Sequence, residues 1–171
     1  MKWRSSPIPL PKLTVDGCLR GNPGTSGGGG ILRDTAGCFV FAFSCFSGDV
    51  TSLYSELRAM LYGVKLCVQR GIIPIHVESD SLLLVRMVRG ELRVPWFLRR
   101  EFEELIAFRH HLHAVTHCFR EVNRVADRLS NVGADSGSDR VYETLALLPL
   151  LVRGDCQMDA WGMPMVRRVR P

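Results

Sequence analysis

Lys12-Leu13-Thr14-Val15-Asp16-Gly17-Cys18-Leu19-Arg20-Gly21-Asn22-Pro23-Gly24 is the stretch whose reading decides the fold. Residues 12 to 19 alternate, with Leu13 and Val15 on one face and Lys12, Thr14 and Asp16 on the other, the period-two pattern of a strand. Gly21-Asn22-Pro23-Gly24 is a turn, and Gly27 to Gly30 extend it as a flexible region. Gly30-Ile31-Leu32-Arg33 reads as a second strand, ended by Asp34-Thr35-Ala36-Gly37, and the apolar run from Cys38 to Phe46 as a third. Short turns between successive strands imply an antiparallel meander. Asp16 is out of place in this pattern, because strands are depleted in Asp. It is either a turn residue before Gly17 or a residue kept for chemistry, and a turn that comes only several residues later favours the second.

Beyond the meander the period changes. Leu53, Leu57, Met60, Leu61, Val64 and Val68 form one apolar stripe at helical spacing, which predicts a helix over 51–70 stopped by Gly71. Ile72 to Val77 is a short buried strand. Ser79 or Asp80 can cap a helix that runs to about Arg89, and Pro95 opens another over 96–111. Ala114 to Phe119 is a fifth strand, and Asn123 caps a last helix bearing Val125, Leu129 and Val132 on one face. The order is βββαβααβα. A strand that follows a helical crossover runs parallel to its partner. The expected fold is therefore α/β, a five-stranded mixed sheet with helices on both faces. Its first strand is antiparallel to the second and parallel to the fourth, which creates a switch point where ligands commonly sit. Val141 to Val152 suggests a short apolar helix, and Arg153 to Pro171, with Arg167, Arg168 and Arg170, a poorly ordered tail.

The chain has 171 residues, 46% of them apolar, enough for one domain with its own core. We divide it into an extended leader over 1–11, a domain over 12–135 and an extension over 136–171. Pro7, Pro9 and Pro11 give the leader the look of a linker from a longer polypeptide, and it lacks the apolar region of a secretory signal. No segment approaches the ~20 apolar residues of a membrane span, so no membrane partner is expected. The formal net charge of +5 favours a polyanionic partner. Cys18, Cys38, Cys45, Cys67, Cys118 and Cys156 include no C-x-x-C pair, and most sit in apolar runs, so they read as reduced and intracellular.

Three further carboxylates join Asp16 as candidates: Glu56 in Ser55-Glu56-Leu57, Asp80 in Ser79-Asp80-Ser81 and Asp127 in Ala126-Asp127-Arg128. Each has an ordinary explanation. A first-turn Glu complements the helix dipole, an Asp after a strand caps a helix, and Asp127 could belong to a solvated helix face with intrahelical pairs. The proposed topology nevertheless places Asp16 and Asp80 on neighbouring parallel strands and lets two helices bring Glu56 and Asp127 to the same end. Clustered carboxylates raise each other's pKa and destabilise a fold unless a cation neutralises them. Two Mg²⁺ ions about 3.5–4 Å apart would do so, one activating a water for in-line attack on phosphorus and the other stabilising the leaving oxygen. His110, His111 and His113 fit no common zinc spacing and read as a solvated helix end. The arginines at 99, 100 and 109 are equally consistent with phosphate contact and with a polar helix face.

With these motifs assembled, the chain resembles ribonuclease H of type 1. Asp16 to Gly24 followed by Gly30 to Arg33 looks like that family's first hairpin, and the Glu56, Asp80 and Asp127 motifs follow in order and approximate spacing. Thr116 to Asp127 and the leader from Trp3 are similar to the ribonuclease H-like domains derived from plant retroelements. The resemblance covers about residues 12 to 135. It implies endonucleolytic hydrolysis of the RNA strand of RNA–DNA hybrids with two Mg²⁺, Mn²⁺ being a possible substitute. It makes Asp16, Glu56, Asp80 and Asp127 the catalytic metal ligands, and Gly17, Asn22, Thr51 and Ser81 the substrate-binding residues. Recognition of RNA there depends on the 2′-OH.

The chain departs from the family pattern. Arg120-Glu121-Val122 is too short for the loop His many members carry, so His117 is assigned to the strand and no catalytic His is named. Leu53 stands where bacterial-type members often have a substrate-binding Asn, and no basic protrusion is evident. The alternative is therefore a catalytically weak or inactive nucleic-acid-binding or protein-interaction module on the same fold. A structure-specific or exonucleolytic nuclease is a third reading. A monomer inside the cell is expected, in nucleus or cytoplasm.

Overall fold

The computed structural model describes residues 9–21 and 24–160. Strands β1 (Lys12–Gly21), β2 (Gly24–Arg33) and β3 (Phe39–Gly48) form the expected meander, followed by α1 (Ser52–Gln69), β4 (Ile75–Ser79), α2 (Leu82–Val88), α3 (Arg99–Ile106), β5 (Leu112–His117), α4 (Arg124–Ser136), β6 (Arg140–Tyr142) and α5 (Leu150–Ala160). The sheet order is β5-β4-β1-β2-β3-β6. β1 is antiparallel to β2 and parallel to β4, which is itself parallel to β5.

Alternation along β1, β2 and β3 splits the core between the two faces of the sheet. Leu13, Val15, Leu32, Phe41 and Phe43 pack against Leu57, Met60 and Val64 of α1, and on to α2 and α3. Ile31 and Ala42 face the other way, against Val125 and Leu129 of α4 and Val152 and Cys156 of α5. Each such fully buried aliphatic side chain stabilises the fold by about 1.5–3 kcal/mol.

Four expectations need correction. The sheet has six strands, because Arg140–Tyr142 pairs antiparallel with β3; three residues are too few to show a period. Gly27 to Gly30 are not a flexible extension of the turn but the buried middle of β2. A Cβ at Gly27 or Gly29 would sit 2.3 or 2.4 Å from backbone atoms of α4, and one at Gly28 would sit 2.7 Å from the Cβ of Ala59 on α1. The missing side chains are what let both helices press onto this strand. The 96–111 helix is broken into a 3-10 turn, α3 and a second 3-10 turn over Arg109–His111, with His113 already in β5. Finally, the extension is not a helix over 141–152 with a loose tail. Pro149 lacks the N–H a helix interior needs, so the helix starts after it, and α5 carries on to Ala160 with Asp155 and Cys156 buried. Arg167, Arg168 and Arg170 lie outside the described residues, as do Pro7 and Trp3.

All six cysteines are free, four of them buried. Among the described residues no helix is long and apolar enough to cross a membrane.

Candidate active site

Register brings the first pair of carboxylates together. Val15 of β1 is opposite Ser79 of β4, so the next residues, Asp16 within β1 and Asp80 just past the end of β4, lie side by side. Glu56 arrives from above on the first turns of α1. Gly17 makes this approach possible, since a Cβ there would fall 2.4 Å from the Glu56 nitrogen. One carboxylate oxygen from each of Asp16, Glu56 and Asp80 lies within 4.8 Å of the others. Asp127, on the first turn of α4, stands outside this trio. It is about one-third exposed, and its Oδ1 lies 3.7 Å from a guanidinium nitrogen of Arg120.

The electrostatics of the trio are unfavourable on their own. Asp16 and Glu56 are 2% and 7% exposed. Burial raises the pKa of Asp16, and the charges of Glu56, Asp80 and Asp127 raise it further. Burial and then the charge of Asp80 raise Glu56, against an opposing hydrogen bond from the Gly17 backbone N–H. Glu56 Oε2 and Asp80 Oδ1 are buried with no hydrogen-bond partner. An orphaned buried polar atom costs about 1–3 kcal/mol, and more when it is charged. Three converging carboxylates, two with an unpartnered oxygen, opposed among the nearby cations by the exposed Arg120 beside Glu56, form the donor set a hard divalent cation takes. The residues therefore fit a metal.

The surrounding residues hold this geometry. Ser130 Oγ on α4 lies 3.3 Å from Asp16 Oδ2 and 2.7 Å from the Asp127 carbonyl, linking two of the carboxylate residues. Asn123 is not the side-chain cap of α4; its Nδ2 donates to the Val15 carbonyl at 3.2 Å and ties the start of α4 to β1. Sequence patterns missed both. Ser130 had a usable signal, sitting three residues after Asp127 and hence on the same helix face; Asn123 had none, because capping explained it. Ser81, not Ser79 or Asp80, caps α2 by accepting from the Leu84 N–H, while Ser79 Oγ accepts from the Ser81 N–H. Thr51 is exposed and caps α1 through the Tyr54 N–H. Asn22 lies outside the described residues. His110 and His111 stack on each other at the end of the α3 region, away from the trio, and His117 packs edge-on against Phe119.

A family model described as reverse transcriptase-like matches residues 14–133, which include all four carboxylates. The chain belongs to that ribonuclease H-like family. A protein of Arabidopsis thaliana named for ribonuclease H is 27% identical over 98% of the chain, and the chain spans 27% of that relative's length. Ribonuclease H1 of the halophilic archaeon Halobacterium salinarum superposes with a TM-score of 0.69 at 25% identity, over 74% of this chain and 98% of that one. A ribonuclease H1 isolated from compost, solved in complex with an RNA/DNA hybrid, gives 0.69 at 26% identity over the same shares. The mixed sheet with helices on both faces is thus the ribonuclease H fold, with a sixth strand and a terminal helix in this chain.

Proposed function

We propose that this ribonuclease H-like chain cleaves the RNA strand of RNA–DNA hybrids endonucleolytically, with Asp16, Glu56 and Asp80 holding divalent cations and Asp127 closing the set. One observation carries the reading: three carboxylates, Asp16 and Glu56 buried and Asp80 half-buried, converge within 4.8 Å, and two of their oxygens have no hydrogen-bond partner. Mg²⁺, bound as a pair, would supply an activated water and neutralise charge on the leaving oxygen; Mn²⁺ offers the same chemistry.

The chain's own residues orient and exclude. Asp16 is fixed by the sheet register and by Ser130, and Glu56 by the Gly17 N–H. Gly17 and Ser81 directly follow Asp16 and Asp80 and therefore flank the substrate side. The Thr51 hydroxyl accepts from Tyr54 N–H and keeps its own proton for a phosphate oxygen at the start of α1. The hybrid is the substrate class because the compost ribonuclease H1 is seen on one, and the net charge of +5 favours phosphate contact.

Purified protein is incubated with a labelled hybrid, with Mg²⁺ or EDTA, beside Asp16→Asn. Mg²⁺-dependent cutting of the RNA strand that the substitution abolishes is the expected result. Hybrid binding without cutting by both proteins would replace the enzyme with a binding module, and equal cutting of duplex DNA would replace it with a broader nuclease.

A further inference from the structure

The last helix reaches the metal centre through charge. Asp155 on α5 is buried and lies beyond the residues matched by the family. One of its carboxylate oxygens binds Arg128 Nε, and the other lies 3.4 Å from a guanidinium nitrogen of Arg124. Both arginines are on α4 and bracket Asp127. Arg124 precedes it by three residues, a spacing at which side chains on a helix meet and oppositely charged ones pair. Arg124, Asp127 and Arg128 also line one open groove of about 540 Å³. A helix carrying this sequence on its own would place Arg124 on Asp127. In the folded chain Arg124 is drawn to Asp155 instead.

We propose that Asp155 is a positioning residue for the metal centre, holding Arg124 off Asp127 so that this carboxylate meets the cation without a competing guanidinium. The inference rests on the metal-binding reading above. Arg120, which Asp155 does not reach, shows the competing arrangement in weak form: it lies 3.7 Å from Asp127 but its side chain is 78% exposed, and such a pair is easily displaced.

The test reads Mg²⁺ affinity by calorimetry and by the rise in melting temperature across a Mg²⁺ titration of the full chain. Asp155→Asn should weaken binding by about two- to fivefold, the range of an exposed ion pair converted to affinity. Asp155→Asn combined with Arg124→Gln should restore it. Unchanged affinity in Asp155→Asn, or a loss that Arg124→Gln does not rescue, would overturn the inference while leaving the metal site standing. If Asp155→Asn does not fold, Asp155→Glu, which keeps the charge but displaces it from both arginines, is read in the same way with the same Arg124→Gln rescue. A wild-type chain that binds no Mg²⁺ would remove the metal-binding reading itself, and this inference with it.

Discussion

Asp16→Asn is expected to make the cation-free protein more stable while removing its response to Mg²⁺. In the folded state the pKa values of Asp16 and Glu56 are raised by burial and by neighbouring carboxylates. A raised folded-state value means that their contribution is fully present below the unfolded values of 3.8 and 4.5, and is lost as pH climbs through the folded ones. The cation-free fold is therefore penalised at neutral and alkaline pH. Two unit charges 4.8 Å apart repel by about 3 kcal/mol at an effective dielectric near 20. Protonation of Asp16 relieves part of this, leaving about 2 kcal/mol for the isosteric amide to recover, or about 4–8 °C in melting temperature for a chain of this size. Thermal melts in EDTA from pH 4.5 to 8.5, repeated with Mg²⁺, read the effect. The variant's advantage should shrink toward zero at the acid end, and Mg²⁺ should raise the wild-type melting temperature only. A folded variant that melts at or below wild type at pH 8 in EDTA, or whose advantage is independent of pH, would refute the claim that mutual repulsion dominates the site.

Three other outcomes follow from the same geometry. Asp127→Asn should keep more of the Mg²⁺-induced thermal shift than Asp16→Asn, because Asp127 stands outside the tight trio; an equal loss would place it inside. Gly29→Ala should cost about 3 kcal/mol in urea unfolding, since its Cβ would meet the Ser130 nitrogen at 2.4 Å and force α4 off the sheet. Tyr142→Phe should cost about 1–2 kcal/mol by the same measurement, because it leaves the buried Ser44 hydroxyl without the Tyr142 partner it holds at 3.2 Å.

The parts of the fold and site that were legible in sequence are those where one residue's surroundings follow from period alone. The alternation of Leu13 and Val15 placed Asp16 on a strand, the stripe from Leu53 to Val68 placed Glu56 on a helix, and a buried strand read over Ile72 to Val77, observed as Ile75–Ser79, placed Asp80 just beyond a strand parallel to that of Asp16. Local pattern failed where a residue's role is set by what packs against it. Gly27 to Gly30 carry every sign of a loop until α1 and α4 are laid on the two faces of β2; Gly27, Gly28 and Gly29 then leave the room both helices need, and Gly30 the room the Phe43 ring needs. Asn123 has the identity and position of a cap, yet it spends its amide on the Val15 carbonyl. Motif order likewise groups Asp127 with the other carboxylates but does not show that it stands outside the 4.8 Å trio.

The extension shows the same limit from the side of charge. Pro149, Asp155 and the arginines of α4 are all visible in the sequence, but the spacing of Arg124 and Asp127 predicts an intrahelical pair. Only the packing of Val152 and Cys156 onto the α4 face of the sheet brings Asp155 close enough to take those arginines away. An exposed intrahelical pair is worth a few tenths of a kcal/mol, whereas a buried carboxylate holding two guanidinium groups loses several kcal/mol when it is stripped of them. The larger energy wins, and the arginines of α4 turn toward α5.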